Sequence, residues 1–471
     1  MADVGDSAVG RDGIKHRALL QVGAFDVIAS IKSEHGKRTN TNAANAREVN
    51  IHMFDNSIAA HRQRVYNKHK MFHKVLRKLR NRRHFWRSLS LGELSRLYIS
   101  SMLRVMALSL VGIFLPIFLY LNGYSITEVF IFFAIECFLR VLLDLAASQL
   151  IGRIGPKHTL FLSYVVQVIA LLVLLAVPNH DTPMLIIVFP WAAAMSLFYT
   201  AYHVDFSSIR HVDHTARDIS RLNILERVGA VLGPAVGGLV ATFFGAQYTI
   251  IASIVLFMVA CVPMLSGKEP IERKKRIDFS GLDYQKMRPH LLSFGSFNVE
   301  SHLSTVFWPF YVAVFIFVAN TYALVGVVAS MSFAVAIFAT WLIGKLIDSR
   351  KDTLLFTVSV CVNTILHGLR PFVTNFLGVL SLNIANDSVN PGYRMPYMKG
   401  WYDFLDTHAE ERTAYTIAMM VIGDFALAVI WLLLAVLTMV IDMKTTMYFG
   451  FAMAALSSLL LLAQRFATLR R

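Results

Sequence analysis

Apolar residues in this chain gather into continuous runs of about twenty, instead of recurring every three or four positions as they do along a half-buried helix. A run of about twenty, wound as a helix, matches the hydrocarbon thickness of a bilayer. Twelve spans are predicted, near residues 98–121, 126–149, 159–178, 183–204, 223–245 and 247–266, and then 291–318, 322–346, 353–372, 374–397, 412–440 and 443–465. Lipid offers the backbone no hydrogen-bond partner, so only helices or closed barrels can cross it. Barrel strands would alternate in character and be about half as long. The pattern predicts an all-α membrane protein of about 12 transmembrane helices.

Composition agrees. The chain is 56% hydrophobic and only 16% charged, where a soluble protein carries roughly a quarter charged residues. Cys137, Cys261 and Cys361 all fall inside apolar runs and read as small packing residues; neither a disulfide framework nor a metal site is expected. The first residues are polar, with no apolar core before residue 98, so no cleavable signal peptide is expected.

Charge adds direction. The stretch 267–290 contains Lys268, Glu269, Glu272, Arg273, Lys274, Lys275 and Arg276, and reads as a cytoplasmic linker between two bundles, 96–266 and 291–471. One alternate set of loops holds Arg153, Lys157, Arg210, Arg217, Arg221, the 273–276 cluster, Lys345, Arg350, Lys351, Arg394, Lys399 and Arg412. In the other set Lys444 is the single cation. Cationic loops stay in the cytoplasm, which places both termini there and suggests the plasma (inner) membrane. The net charge of +15 is concentrated in an N-terminal arm, residues 1–95. Within it, 61–87 has eleven Lys/Arg, no acid, and interleaved Val65, Phe72, Val75, Leu76 and Leu79. That stretch reads as a basic amphipathic helix on anionic lipid, or as a disordered basic tail; a nucleic-acid partner is not needed to explain it. Residues 1–60 read as mostly unstructured, with a short helix near 18–31.

The two sets of six spans repeat. Leu115-Pro116-Ile117-Phe118 matches Trp308-Pro309-Phe310-Tyr311 at an offset of 193, and Leu150-Ile151-Gly152-Arg153 matches Leu342-Ile343-Gly344-Lys345 at 192. His214-Thr215-Ala216 and Gly229 match His408-Ala409-Glu410 and Gly423 at 194. Parallel repeats of this kind place a solute site at their interface, near the bilayer midplane.

Two motifs now bear on family. Gly344-Lys345-Leu346-Ile347-Asp348-Ser349-Arg350-Lys351 resembles the glycine–aspartate–basic cytoplasmic loop of the major facilitator superfamily. Its first-half copy, Gly152-Arg153-Ile154-Gly155-Pro156-Lys157-His158, keeps the basic residues but has Gly152 where the family usually has aspartate. Gly229-Ala230-Val231-Leu232-Gly233-Pro234-Ala235-Val236-Gly237-Gly238 is similar to the antiporter motif of that superfamily's drug/proton exchangers, with small-residue helix packing as the plainer reading. The fourth span, Pro190 to Tyr199, lacks the arginine those exchangers carry. The resemblance covers roughly 96–466 and implies two pseudo-symmetric six-helix bundles, with Gly344, Asp348, Arg350, Lys351, Arg153 and Lys157 in gating loops.

Ionisable residues at membrane depth are costly and so become functional candidates. Glu136, Arg140 and Asp144 lie at i, i+4 and i+8 on one face of the second span, as a self-neutralising ladder or a proton relay; Arg104 could join them or attract an anionic solute. Asn298, Glu300 and His302 open the seventh span, where Glu300 either snorkels or carries a proton beside a histidine. Asp424, mid-span with no basic residue within several turns on its own helix, is the first choice for proton coupling, a structural hydrogen bond being its rival. Asn383, Asp387, Asn390 and Arg394 share a face of the tenth span; Asp387 and Asn383 are site candidates and Arg394 reads as interfacial. His367 and Arg370 read as rim residues, and Tyr199, Tyr202, His203 and Asp205 as packing.

The leading expectation is a monomeric secondary transporter moving a small molecule by alternating access, with no enzymatic activity and no cofactor expected. Proton coupling and export of small amphiphiles are the finer expectations. No Gly-x4-Gly-Lys-[Ser/Thr] motif suggests an ATP-driven pump. A non-transporting receptor or scaffold on the same fold is the alternative.

Overall fold

A computed structural model of the protein describes residues 93–176, 183–209, 215–265, 277–347, 352–408, 411–466 and 469. The basic arm at 61–87, most of the charged linker, and Asp348, Arg350 and Lys351 of the loop motif lie outside the described residues.

Twelve long helices follow in order, with no strand among the described residues. They are α1 Glu93–Val111, α2 Ile126–Ile154, α3 Pro156–Ala176, α4 Met184–Ile209, α5 Thr215–Phe243, α6 Ala246–Cys261, α7 Tyr284–His302, α8 Thr321–Ile347, α9 Asp352–Leu369, α10 Phe376–Asp406, α11 Arg412–Val440 and α12 Met443–Leu460. Ten are long and apolar enough to cross a membrane. The two that fall short, α2 and α10, are the ones that carry embedded Glu136, Arg140 and Asp144, or the run of Asn383, Asn386, Asp387 and Asn390. Several helices outrun their apolar spans. α5 begins at Thr215 rather than 223, α7 at Tyr284 rather than 291, and α10 continues to Asp406 rather than 397.

Local chemistry sets the breaks. Ser125 and Glu128 form a capping box at the start of α2, Asn375 caps α10, and Asp442 caps α12. The Thr445 hydroxyl and amide hold the exposed Asp442 carboxyl below its ordinary range. The repeat-related prolines each interrupt a helix because proline has no N–H to give. A 3-10 turn, Gly112–Phe114, leads from α1 into Leu115–Leu121 at Pro116, while π-helical turns Leu303–Phe307 and Val312–Ile316 flank Pro309 beyond α7.

The packing repeats as the sequence does. α1 lies against α5 and α6, as α7 lies against α11 and α12; α3 lies against α4 and α6, as α9 lies against α10 and α12. Two seams join the halves, α2 to α11 and α5 to α8, and the repeat exchanges one for the other. The result is two six-helix bundles, α1–α6 and α7–α12.

Candidate functional site

Between the halves lies a cavity of about 470 Å³, within the usual range for small-molecule sites. Its charged lining is Arg104 from α1, Glu136 and Arg140 from α2, Glu226 from α5 and Arg394 from α10. Aromatic rings supply much of the rest, among them Phe133, Trp191, Phe198, Tyr199, Phe294, Phe297 and Trp401. Toward the end where α4 and α10 finish, His203 Nδ1 and the Tyr402 hydroxyl share a hydrogen bond of 2.8 Å across the halves, and Trp401 stands 4.9 Å from the His203 ring. Toward the other end Phe133 stacks on Trp431 at 4.9 Å, and the Thr127 and Thr438 hydroxyls meet at 2.8 Å.

One wall of the cavity is an ion-pair network on the α2–α11 seam. Arg140 Nη1 donates to Glu136 Oε1 at 3.3 Å on its own helix, and Nε donates to Asp424 Oδ2 at 3.1 Å across the halves. A second Arg140 nitrogen, Nη2, pairs with Asp424 Oδ1, so the guanidinium grips the carboxylate in its forked geometry. Asp144, one turn further along α2, accepts the Ser196 hydroxyl of α4 and faces Asp424. Three carboxyl groups thus crowd around one guanidinium, all buried. Like charges this close repel, and the Arg140 guanidinium offsets that repulsion from between them.

A second network lies inside the α7–α12 bundle, off the cavity. Glu300 accepts from Asn363 Nδ2 at 2.9 Å and from the Tyr393 hydroxyl at 2.9 Å, and its Oε1 lies 3.1 Å from His367 Nε2. Ser304 links this carboxylate to Arg370, donating to it at 3.3 Å and accepting from Arg370 Nη2 at 3.1 Å.

The structure thus sorts the sequence-predicted residues. Arg104, Glu136, Arg140 and His302 line the cavity, and Asp144 and Asp424 stand directly behind Arg140. Glu300 does not snorkel: it is fully buried, and its histidine is His367, while His302 accepts from Trp431 Nε1 at 3.0 Å. His367 and Arg370 are not rim residues, being 0% and 1% exposed, because the Glu300–Ser304 network draws them inward. Asn383 accepts from Trp308 Nε1 at 2.6 Å, and Asp387 is beside Ser332 and Arg227; neither lines the cavity. Arg394 is not interfacial but lines it. Glu226 was missed. It falls near the start of the apolar run that begins at 223, whereas α5 starts at Thr215 and carries Glu226 about three turns in, to the cavity wall.

The motif residues have structural work. Gly229, Gly233 and Gly237 face α1, where a Cβ would collide with the Met102 carbonyl, with Ser109, or, at 2.8 Å, with the Leu110 carbonyl oxygen. Gly238 is pressed against Tyr322 of α8 instead. Pro234 lies inside α5, and next to it the Ala235 N–H donates to Ser330 Oγ of α8 at 2.9 Å. Between α2 and α3, Gly155 turns the chain at φ 89°, a conformation that favours glycine, leaving Arg153 exposed and Lys157 buried. Gly344 falls in the last turn of α8.

This architecture is that of a polytopic transporter. A sequence profile described as Major Facilitator Superfamily matches residues 97–382, and the chain belongs to that family. No curated protein matches it in sequence. Similar solved structures include the transporter FucP of the same superfamily in its outward conformation, with a TM-score of 0.57 at 11% identity over 80% of this chain and 97% of that one. A variant of the E. coli fucose:proton symporter FucP gives a TM-score of 0.54 at 12% identity, with the same coverage. Identities this low speak to the fold alone.

Proposed function

We propose that this protein is a proton-coupled secondary transporter in which the bundles 96–266 and 291–471 rock about the central cavity, the stretch 267–290 joining them on the cytoplasmic side. The observation that carries this reading is the Arg140–Asp424 pair, an ion pair between the two moving halves set in the cavity wall. A proton placed on Asp424, or shared with Asp144, weakens the grip of Arg140 across the seam and lets the halves part. Solute occupancy and proton occupancy then act on the same seam, which is what coupling requires. The loop asymmetry in Lys and Arg supports cytoplasmic termini in a plasma (inner) membrane, with the 61–87 arm on anionic lipid and one chain as the working unit. The α5 glycines, on which export of amphiphiles was expected, serve helix contacts; a cavity with five charged lining residues suits a polar solute better.

The test is a proton gradient imposed on vesicles containing the purified protein. Wild-type protein should acidify the lumen only when a transported solute is supplied. Asp424→Asn should lose gradient-driven accumulation while still exchanging solute across the membrane. Full gradient-driven accumulation in Asp424→Asn would remove the pair from the coupling mechanism.

A further inference from the structure

Two arginines in the cavity form no ion pair among the described residues. Arg104 of α1 is only 4% exposed, yet among the described residues the one acceptor it meets is the Met195 thioether at 3.5 Å. Its guanidinium carbon stands 3.3 Å from the centre of the Phe198 ring, and its side chain borders the cavity. Arg394 of α10, in the other half, donates to the Ser301 hydroxyl at 2.6 Å and stands 4.9 Å from the centre of the Phe297 ring. Neither forms an ion pair among the described residues, in contrast to Arg140, which is held by Glu136 and Asp424. A guanidinium carries five donors and keeps its charge, so one that lines a cavity with so few partners is a recognition group for an anion. The rings beneath both arginines orient them without neutralising them.

We propose that the cavity binds a small organic anion, whose charged head is clamped between Arg104 and Arg394 and whose body lies among the aromatic rings. The inference rests on the transport reading above and names its substrate class. Because the arginines come from opposite halves, the anion would draw the halves together on binding. Glu226 sets the strength of that clamp. Its Oε1 accepts from the Tyr202 hydroxyl of α4 at 3.2 Å, and it faces Arg104 of α1, Arg394 of α10 and Arg227 on its own helix, with Tyr402 and His203 near Tyr202. Ionised, Glu226 competes with the anion for both arginines; protonated, it leaves them free. Anion affinity should therefore rise as pH falls.

The experiment is ligand-induced quenching of tryptophan fluorescence in the full chain, since Trp191 and Trp401 border the cavity. The probes are benzoate, phenylacetate, hexanoate and phenyl phosphate, with benzamide, phenylacetamide and L-fucose as neutral comparators. At least one anion should bind while its neutral comparator does not. Loss of a charge-assisted contact in Arg104→Gln or Arg394→Gln should weaken that anion about tenfold or more. Arg104→Lys, which keeps the charge and is the milder change, should fall between. Glu226→Gln should bind as tightly at neutral pH as wild type does in acid, with a flat pH profile. Failure of every anion to bind, equal binding of the neutral comparators, or wild-type affinity in both glutamine variants would overturn the proposal. Flux measurements separate it from the reading it rests on. An anion that binds but is never carried rejects transport and keeps the site, whereas carriage of L-fucose without anion binding keeps transport and rejects the site.

Discussion

Asp424 has no cation near it on α11, whose one arginine, Arg412, opens the helix about three turns away, and Arg140 has only Glu136 and Asp144 one turn away on α2 until the halves are brought together. Sequence makes each visible as a buried charge; only packing pairs residues 284 positions apart. The same network carries a stability prediction. Arg140→Gln leaves Glu136, Asp144 and Asp424 buried without their counter-charge, which should cost about 3–5 kcal/mol as a lowered thermal unfolding temperature in detergent. Adding Asp424→Asn should recover part of that loss, because the two changes remove one interaction. Strict additivity of the two losses would mean that the pair is not a unit. Glu300 belongs to the other class of buried charge. Glu300→Gln should destabilise by about 2 kcal/mol through its weakened hydrogen bonds and leave proton-coupled flux in place, since Glu300 is off the cavity. Coupling lost in Glu300→Gln would place this second network in the mechanism.

Helix length is where sequence reading went astray, and it did so for one physical reason. Apolar runs mark the part of a helix that lies in hydrocarbon, but backbone hydrogen bonding continues past it for as long as the residues tolerate a helix. Glu300 and Arg394 both fall near the end of an apolar run, yet α7 starts at Tyr284, about four turns before Glu300, and α10 runs on to Asp406, about three turns past Arg394. The spans themselves, the repeat and the small-residue faces were legible, because each leaves a local signature. The α5 glycine face yields a direct check. Gly233→Leu forces a side chain into Ser109 of α1, an overpacking expected to cost about 1–3 kcal/mol and to lower the unfolding temperature. An unchanged unfolding temperature would show that α1 and α5 are not held in this close contact.

For the whole molecule, the repeat of contacts is the feature that ties fold to function. Two seams, α2–α11 and α5–α8, hold the bundles together, and the cavity, the Arg140–Asp424 pair, Arg104 and Arg394 all lie between the same two bodies. Alternating access requires that these seams open in turn. At one end of the α2–α11 seam the Thr127 and Thr438 hydroxyls are 2.8 Å apart, close enough for cysteines placed there to form a disulfide. The most direct measurement is therefore solute flux in vesicles containing the Thr127→Cys/Thr438→Cys protein, before and after oxidation and again after reduction. Rocking of the halves predicts that oxidation stops flux and reduction restores it. Undiminished flux with the cross-link fully formed would contradict the account.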